Sequence, residues 1–150
     1  MSALGRLALV VDGRRPPGVY RVESAVLAGT LAAALRSHGV VSWVLDTTDV
    51  RDKAAFLSRC AADLALPAWF GHNWDALADY LEDFSWRPAR GYVVLVTNGH
   101  EFAQHAPQDF DALLEIFAAA ATYWFAKDKL FLVLVDAGTR GGRALKALPG

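Results

Sequence analysis

Three short apolar runs constrain the fold of this chain more than any other feature of its sequence. They span Val40–Leu45, Tyr92–Thr97 and Leu130–Val135, and each is rich in valine and leucine without alternating polar residues. This pattern is typical of strands that are covered on both faces, as in a parallel sheet. Segments of helical periodicity separate the runs, so the sequence predicts an α/β fold built from βαβ units.

The segments between the runs have the periodicity of amphipathic helices. Each begins at a residue type suited to that place, an aspartate or asparagine that can cap the first turn or a proline within it. The predicted helices are one capped by Asp49 that runs to about Leu66, one capped by Asn73 that runs from Trp74 to about Phe84, and one from about Pro107 to Ala126.

The two ends of the chain are less regular. In the first forty residues, Leu7–Val11 and Val19–Val22 are candidate strands, and Val26–Leu35 is a candidate helix that ends near Gly39. The residues after Asp136 are rich in glycine and in bases, which predicts a loose basic tail.

The charge of the chain is unevenly distributed. Its formal net charge is −1, which argues against a general nucleic-acid binder, so we expect no direct nucleic-acid partner. Residues 60–126 nevertheless contain nine acids and two bases, whereas the rest of the chain contains seven acids and thirteen bases. The middle of the chain is therefore strongly acidic and suits a basic partner.

Several classes of protein are set aside by what the sequence lacks. The single cysteine, Cys60, cannot form an internal disulfide, and no apolar run approaches the roughly 18 residues that span a bilayer. The apolar run near the N-terminus is too short for a secretory signal. No zinc-ligand spacing, phosphate-binding loop or nucleophile motif occurs, so we expect no metal, no cofactor and no catalytic residue. The sequence predicts a non-enzymatic cytoplasmic protein without a membrane partner.

The second predicted helix has two faces of opposite character. At roughly 100° per residue its apolar side chains fall on one side, and four carboxylates without a base fall on the other. Like charges four residues apart destabilise a helix by about 0.2–0.5 kcal/mol per pair, so helix stability alone does not favour this face. A solvated polar surface is the alternative to a binding surface. The carboxylates are Asp75, Asp79, Glu82 and Asp83.

The loop that precedes this helix, residues 67–73, contains the adjacent aromatic residues Trp69 and Phe70. Two neighbouring large rings do not both point inward easily, and aromatic side chains beside carboxylates are typical of interface hot spots. The alternative is that both rings plug the edge of the sheet. Gly71 indicates either a positive φ or a close backbone approach.

The sequence from Ala65 to Leu81 closely resembles the signature of barstar and the barstar-like ribonuclease inhibitors. The shared pattern is Leu-Pro, two aromatics, glycine, any residue, asparagine, a large apolar residue, Asp-Ala-Leu and, three residues after that alanine, a second aspartate. The order of strands and helices also agrees over residues 40–136. The resemblance predicts one domain with an N-terminal strand and helix extension (1–39), a barstar-like core (40–136) and a loose tail (137–150).

Similarity to that family implies a three-layer α/β fold with a small parallel sheet and helices on both faces. It also implies an immunity protein, monomeric before it meets its partner, that blocks the active site of a guanyl-specific, barnase-like ribonuclease or a toxin nuclease. Asp79 is then the central anion that imitates RNA phosphate, Asp75 is the second anion, and Trp69 is an aromatic contact. The predicted partner-binding residues are Trp69, Phe70, Gly71, His72, Asn73, Asp75, Ala78, Asp79, Glu82 and Asp83.

Three positions depart from the founding member of the family. His72 and Ala119 stand where that protein has acids, and Ala78 stands where it has a tryptophan. The loss of two acids and an aromatic anchor weakens the expected binding to barnase. It points to another member of the nuclease family, or to a different basic toxin nuclease, as the target.

Two other functions stay open from the residues alone. A small hydrolase or nuclease could use His72 as a general base that Asp75 orients. An interaction module with the same fold could bind a partner that is not a nuclease.

Overall fold

The computed structural model describes residues 17–22, 35–67, 70–84, 87–138 and 145–147. Its regular elements follow one another as two strands, two helices, a strand, two helices and two strands. The strands are β1 (Val19–Arg21), β2 (Val40–Asp46), β3 (Gly91–Thr97), β4 (Leu130–Val135) and β5 (Lys146–Ala147), and the helices are α1 (Lys53–Asp63), α2 (Trp74–Leu81), α3 (His100–His105) and α4 (Pro107–Phe125).

The strands form one parallel sheet in the order β2-β3-β4-β1-β5. The three apolar runs supply the adjacent strands β2, β3 and β4, which confirms the prediction of a parallel α/β fold. Their register aligns Val40 with Gly91 and Gly91 with Leu130, so the three strands begin at the same level. We call this end of the sheet the amino edge and the opposite end the carboxyl edge.

The two faces of the sheet carry separate cores because side chains alternate along each strand. One core contains Tyr92, Val94 and Phe131 and receives apolar side chains from all four of these helices. The other contains Val93 and Leu132, both fully buried, together with Leu35 from the connection between β1 and β2. The sheet is therefore buried on both faces, as its continuous apolar strands require.

Helix α1 begins later than the sequence predicted. Its N-cap is Asp52, whose carboxylate accepts a hydrogen bond from the Ala55 amide at 2.8 Å, and the helix ends at Asp63. The predicted cap, Asp49, has a φ of 62° and lies in the turn after β2. An N-cap residue has extended backbone dihedrals, as Asp52 does, whereas the backbone of Asp49 is in the left-handed region, so this prediction was wrong.

Both ends of the chain take part in the sheet. The predicted strand at residues 19–22 is confirmed as β1, and it lies between β4 and β5 in the sheet. Lys146–Ala147 pairs with β1, so this piece of the predicted loose tail is an edge strand. Leu35 and Arg36 are helical and Gly39 follows with a φ of 73°, as expected for a helix that ends there. The predicted strand at residues 7–11 and residues 26–34 of the predicted helix lie outside the described residues.

Candidate functional site

Helix α2 presents two carboxylates on its outer face, and its inner face is packed into the core. Leu77 and Leu81 are 0% and 1% exposed, and they hold the inner side of the helix against the sheet. Asp75 and Asp79 lie one turn apart on the outer side, and both are exposed. Among the described residues neither carboxylate pairs with a base or with a hydrogen-bond donor. Both anions are therefore held in place with their hydrogen-bonding capacity unused.

The start of α2 is secured by Asn73, as the sequence predicted. Its side-chain oxygen accepts from the Ala76 amide at 2.8 Å, and its side-chain nitrogen donates to the Gly71 carbonyl at 3.1 Å. One side chain thus ties the first turn of the helix to the loop before it. These two hydrogen bonds fix the loop relative to Asp75, which lies in that first turn.

Helix α2 ends at Leu81, three residues before the predicted end. The Leu81 carbonyl accepts from the Trp124 indole nitrogen at 2.7 Å, and Phe84 is buried between Trp43 and Trp124. The chain leaves the helix to place the Phe84 ring in this aromatic cluster. The periodic projection accordingly holds for Asp75 and Asp79 only.

Glu82 and Asp83 lie past the last turn of α2 instead of on its outer face. Glu82 is the half-buried C-cap residue, with ψ of 9°, and Asp83 is exposed. Burial raises the pKa of Tyr80, and the negative charge of Asp83 raises it further. The predicted face of four helical carboxylates is therefore corrected to two carboxylates on the helix and two beyond its end.

The Phe70 ring lies inside the protein. It is 4% exposed and packs edge-on against Tyr80, with ring centroids 5.8 Å apart. The prediction that Phe70 offers its side chain to a partner does not fit this burial, because the ring supports the loop from within. Tyr80 was missed by the sequence analysis, although an aromatic residue directly after Asp79 was the available signal. Trp69, the neighbouring predicted contact, lies outside the described residues.

The left-handed conformation in this loop belongs to His72 and not to Gly71. His72 has a φ of 48° and is exposed. Gly71 is needed for close approach instead, since a Cβ there would lie 3.0 Å from the Asn73 side-chain nitrogen. The sequence offered both explanations for the glycine, and the structure selects the second.

The His72 ring is engaged with its own loop. Its Nδ1 lies 2.9 Å from the Phe70 carbonyl, and its ring centroid is 5.0 Å from that of Phe70. No hydrogen bond joins His72 to Asp75 in the part of the chain that the structure describes. The geometry does not form the oriented general base that a hydrolase would need.

The two alanines that depart from the family pattern lie on the outer parts of α2 and α4. Ala78 is half-buried on α2, directly before Asp79, and Ala119 is exposed on α4. Neither offers an anchor or a charge. The polar groups of the site are therefore concentrated at Asp75, Asp79 and the His72–Asn73 loop.

A second group of polar residues lies at the carboxyl edge of the sheet, where α/β proteins commonly bind ligands. There the Asp46 carboxylate accepts from the Thr48 hydroxyl at 2.7 Å, the Thr48 amide at 3.1 Å and the Asn98 side chain at 3.0 Å. These bonds lower the pKa of Asp46 to about 2. The group closes on itself and has a structural role.

Cys60 and possible metal ligands are the remaining candidates for chemistry. Cys60 is fully buried, and burial raises the pKa of its thiol. Across the described ranges no three His, Cys, Asp or Glu side chains are arranged to hold a metal ion. No helix within those ranges is both long enough and apolar enough to cross a bilayer.

Comparison with known proteins supplies the family. Residues 40–136, about two-thirds of the chain, match the family described as Barstar (barnase inhibitor). No curated protein shows a significant match to the chain. The matched range begins with β2 and ends one residue after β4, so it contains both the α2 carboxylates and the loop before them.

Proposed function

Because the chain belongs to the Barstar (barnase inhibitor) family, whose members are inhibitors rather than enzymes, we propose that it blocks the active site of a basic microbial ribonuclease with helix α2. The observation that carries this proposal is the pair of exposed, unpaired carboxylates, Asp75 and Asp79, on a helix whose inner face is packed into the core. A cleft that binds RNA must be cationic, because it holds phosphates. Two fixed anions one turn apart present that cleft with the charge of its substrate.

The fixed geometry favours tight binding. The loop–helix junction at Asn73 is already hydrogen-bonded in the free protein, so little conformational freedom is lost when a partner docks. The Asp75 and Asp79 carboxylates have no internal donors to exchange within the described chain. Hydrogen bonds from a nuclease arginine or histidine to these oxygens would add to those already present rather than replace them.

We propose that Asp79 is the central anion and Asp75 the second, with His72 and the exposed backbone at Gly71 on the rim of the contact. Trp69 is the proposed aromatic contact. Ala78 adds no anchor, and Ala119 adds no charge. The partner that fits this surface is a guanyl-specific nuclease of the barnase-like class, or a toxin nuclease. Its cleft would bind mainly the two α2 carboxylates.

Titration calorimetry and an RNA-cleavage assay with a panel of guanyl-specific and toxin nucleases test the proposal. We expect at least one nuclease to be inhibited at equal molar ratio, and the Asp79→Ala variant to lose that inhibition. Asp111→Ala is the matched control, because Asp111 is an exposed acid on α4. The proposal is wrong if no nuclease binds, or if the Asp79 and Asp111 variants behave alike.

The second candidate is an interaction module whose partner is not a nuclease. The alanines at 78 and 119 favour it, since they remove the anchor and the acid that the founding member of the family has there. Affinity capture from the source cells separates the two candidates. A captured protein without a basic cleft, lost on Asp79→Ala substitution, supports the interaction module.

A further inference from the structure

The amino edge of the sheet is strongly basic. The loops that enter β2, β3 and β4 are residues 35–39, 87–90 and 126–129, and Asp128 is their one acid. By contrast, Asp46, Asp49, Asp52 and Asp136 follow or end strands at the carboxyl edge. The bases of the amino edge are Arg36, Arg87, Arg90, Lys127 and Lys129, with His38 beside them.

The three loops lie side by side. The strand register places Gly39, Arg90 and Lys129 at the same level on neighbouring strands, which are about 4.8 Å apart in a sheet. The Arg90 amide donates to the Gly39 carbonyl at 3.1 Å, and the Arg90 side chain lies so close to Gly39 that a Cβ there would meet its Cδ at 3.1 Å. The basic side chains therefore converge on one edge of the molecule.

Four bases of this edge are not neutralised within the described chain. Among the described residues, Arg87, Arg90, Lys127 and Lys129 form no ion pair. The nearest acids along the chain are Asp128, between the two lysines, and Glu82 and Asp83 at the end of α2. Helix C-termini favour nearby cations, which accounts for Lys127 after α4. It does not account for Arg90, which directly precedes a strand.

Aromatic rings accompany the lysines of this edge. The Lys127 ammonium lies 5.0 Å from the Tyr123 ring centroid, and the Lys129 ammonium lies 5.9 Å from that of Trp124. Phe125, the last residue of α4, is 64% exposed, the most exposed large hydrophobic side chain of the described residues. Its ring lies mostly outside the core and is accessible to a flat ligand.

We propose that the amino edge binds single-stranded nucleic acid, with phosphates at Arg90 and Lys129 and a base stacked on Phe125. A cluster of cations together with an exposed ring suits an unpaired strand, because phosphates need charge and unstacked bases need a flat apolar surface. The carboxylates of an acidic polypeptide need the cations but do not need a flat apolar ring beside them. This surface departs from the expectation drawn from the net charge of the whole chain, and it does not depend on the proposed inhibition of a nuclease.

Fluorescence anisotropy with labelled twelve-nucleotide oligo-uridylate and oligo-thymidylate tests the proposal on the free protein, over a range of salt concentrations. We expect both probes to bind at low salt, and tighter binding of the uridylate would identify RNA as the ligand. For single strands the slope of log K against log salt falls by about 0.7 for each phosphate contact. Replacing both Arg90 and Lys129 by glutamine should therefore make the slope shallower by about 1.4.

Phe125→Ala separates stacking from charge. It should weaken binding about tenfold at every salt concentration and leave the slope unchanged, because a ring contact releases no counterions. Lys146→Gln, at an exposed lysine on the edge strand β5, is the matched control and should change neither quantity. Circular dichroism confirms that each variant is folded.

Three results would overturn the proposal. The first is no binding of either oligonucleotide at low salt, and the second is binding that the Arg90 and Lys129 substitutions leave unchanged. The third is equal competition by polyglutamate or by a duplex of the same length, which would show that the edge recognises charge alone. None of these results bears on nuclease inhibition, which is measured separately through Asp79.

Discussion

The carboxylates of Asp46 and Asp79 belong to the same α/β fold but differ in their hydrogen bonding. Asp46 accepts three hydrogen bonds from Thr48 and Asn98 at 3.1 Å or less, and these hold its pKa at about 2. Asp79 is exposed and, within the described residues, has no donor or base. The carboxyl edge of the sheet is thus closed by its own side chains, and the α2 face is left open for a partner. Unused hydrogen-bonding capacity, rather than the presence of acids, distinguishes the binding surface.

The largest effect is expected from Asp75→Asn combined with Asp79→Asn. The affinity for the cognate nuclease should fall by about 2–5 kcal/mol, a range for buried charge pairs that rests in part on the barnase–barstar complex itself. The free energy of unfolding should change by less than about 1 kcal/mol, because the relief of repulsion between the two charges opposes the loss of the favourable Asp75 charge in the first turn of α2. Calorimetry measures the first quantity and urea denaturation the second.

The prediction is a large loss of affinity with little change in stability. If the double substitution lowered stability by as much as it lowered affinity, the α2 carboxylates would be structural, like Asp46. The comparison between the closed and the open carboxylates would then fail.

A smaller effect is expected from Asn73→Ala, which removes the side chain that holds the open surface in place. Losing the N-cap should reduce the free energy of unfolding by about 1 kcal/mol. Affinity should fall as well, since the bond from Asn73 to the Gly71 carbonyl also orders the loop. Asn73→Asp restores the helix cap without the side-chain nitrogen. It should recover stability but not the whole affinity, and full recovery of both would show that the loop bond is dispensable.

The strands of this fold could be predicted from the sequence because their signal is local. Continuous apolar runs mark strands buried on both faces, and β2, β3 and β4 coincide with those runs to within one residue. The sequence signal for the helix cap at Asn73 is equally local, and the structure confirms that cap. The placement of β1 between β4 and β5 was not predictable, because strand order depends on contacts far apart in sequence.

The open face of α2 was only partly predictable for the same reason. The outward direction of Asp75 and Asp79 follows from helical periodicity. The end of the helix does not, because it is set by Trp124, whose indole bonds the Leu81 carbonyl from 43 positions away. Asp49 was predicted as the cap although Asp52 is also an aspartate near the start of the apolar pattern, and the sequence does not distinguish the two. The structure separates them by the φ of 62° at Asp49 and by the bond from the Ala55 amide to the Asp52 carboxylate.

A still smaller effect is expected from Asp46→Asn at the closed carboxylate. The variant loses charge-assisted hydrogen bonds, but the residue is exposed to solvent, so we expect a stability loss of roughly 0.5–1 kcal/mol. Nuclease affinity should be unchanged, which urea denaturation and calorimetry on the same samples would show. A loss of affinity without a loss of stability would place Asp46 in the binding surface and remove the contrast with Asp79.

The smallest effect is the dependence of that loss on pH. The pKa of Asp46 is lowered in the folded protein from its ordinary value of 3.8 to about 2, so its stabilising contribution is fully present above pH 4 and is lost as the pH falls towards 2. Asp46→Asn has no proton to gain at this position. The stability difference between the original chain and the variant should therefore be constant from pH 7 to pH 5 and shrink below pH 4, as followed by urea denaturation at each pH. A difference that stayed constant down to pH 3 would mean that the donors from Thr48 and Asn98 do not favour the charged carboxylate, and that Asp46 is no more closed than Asp79.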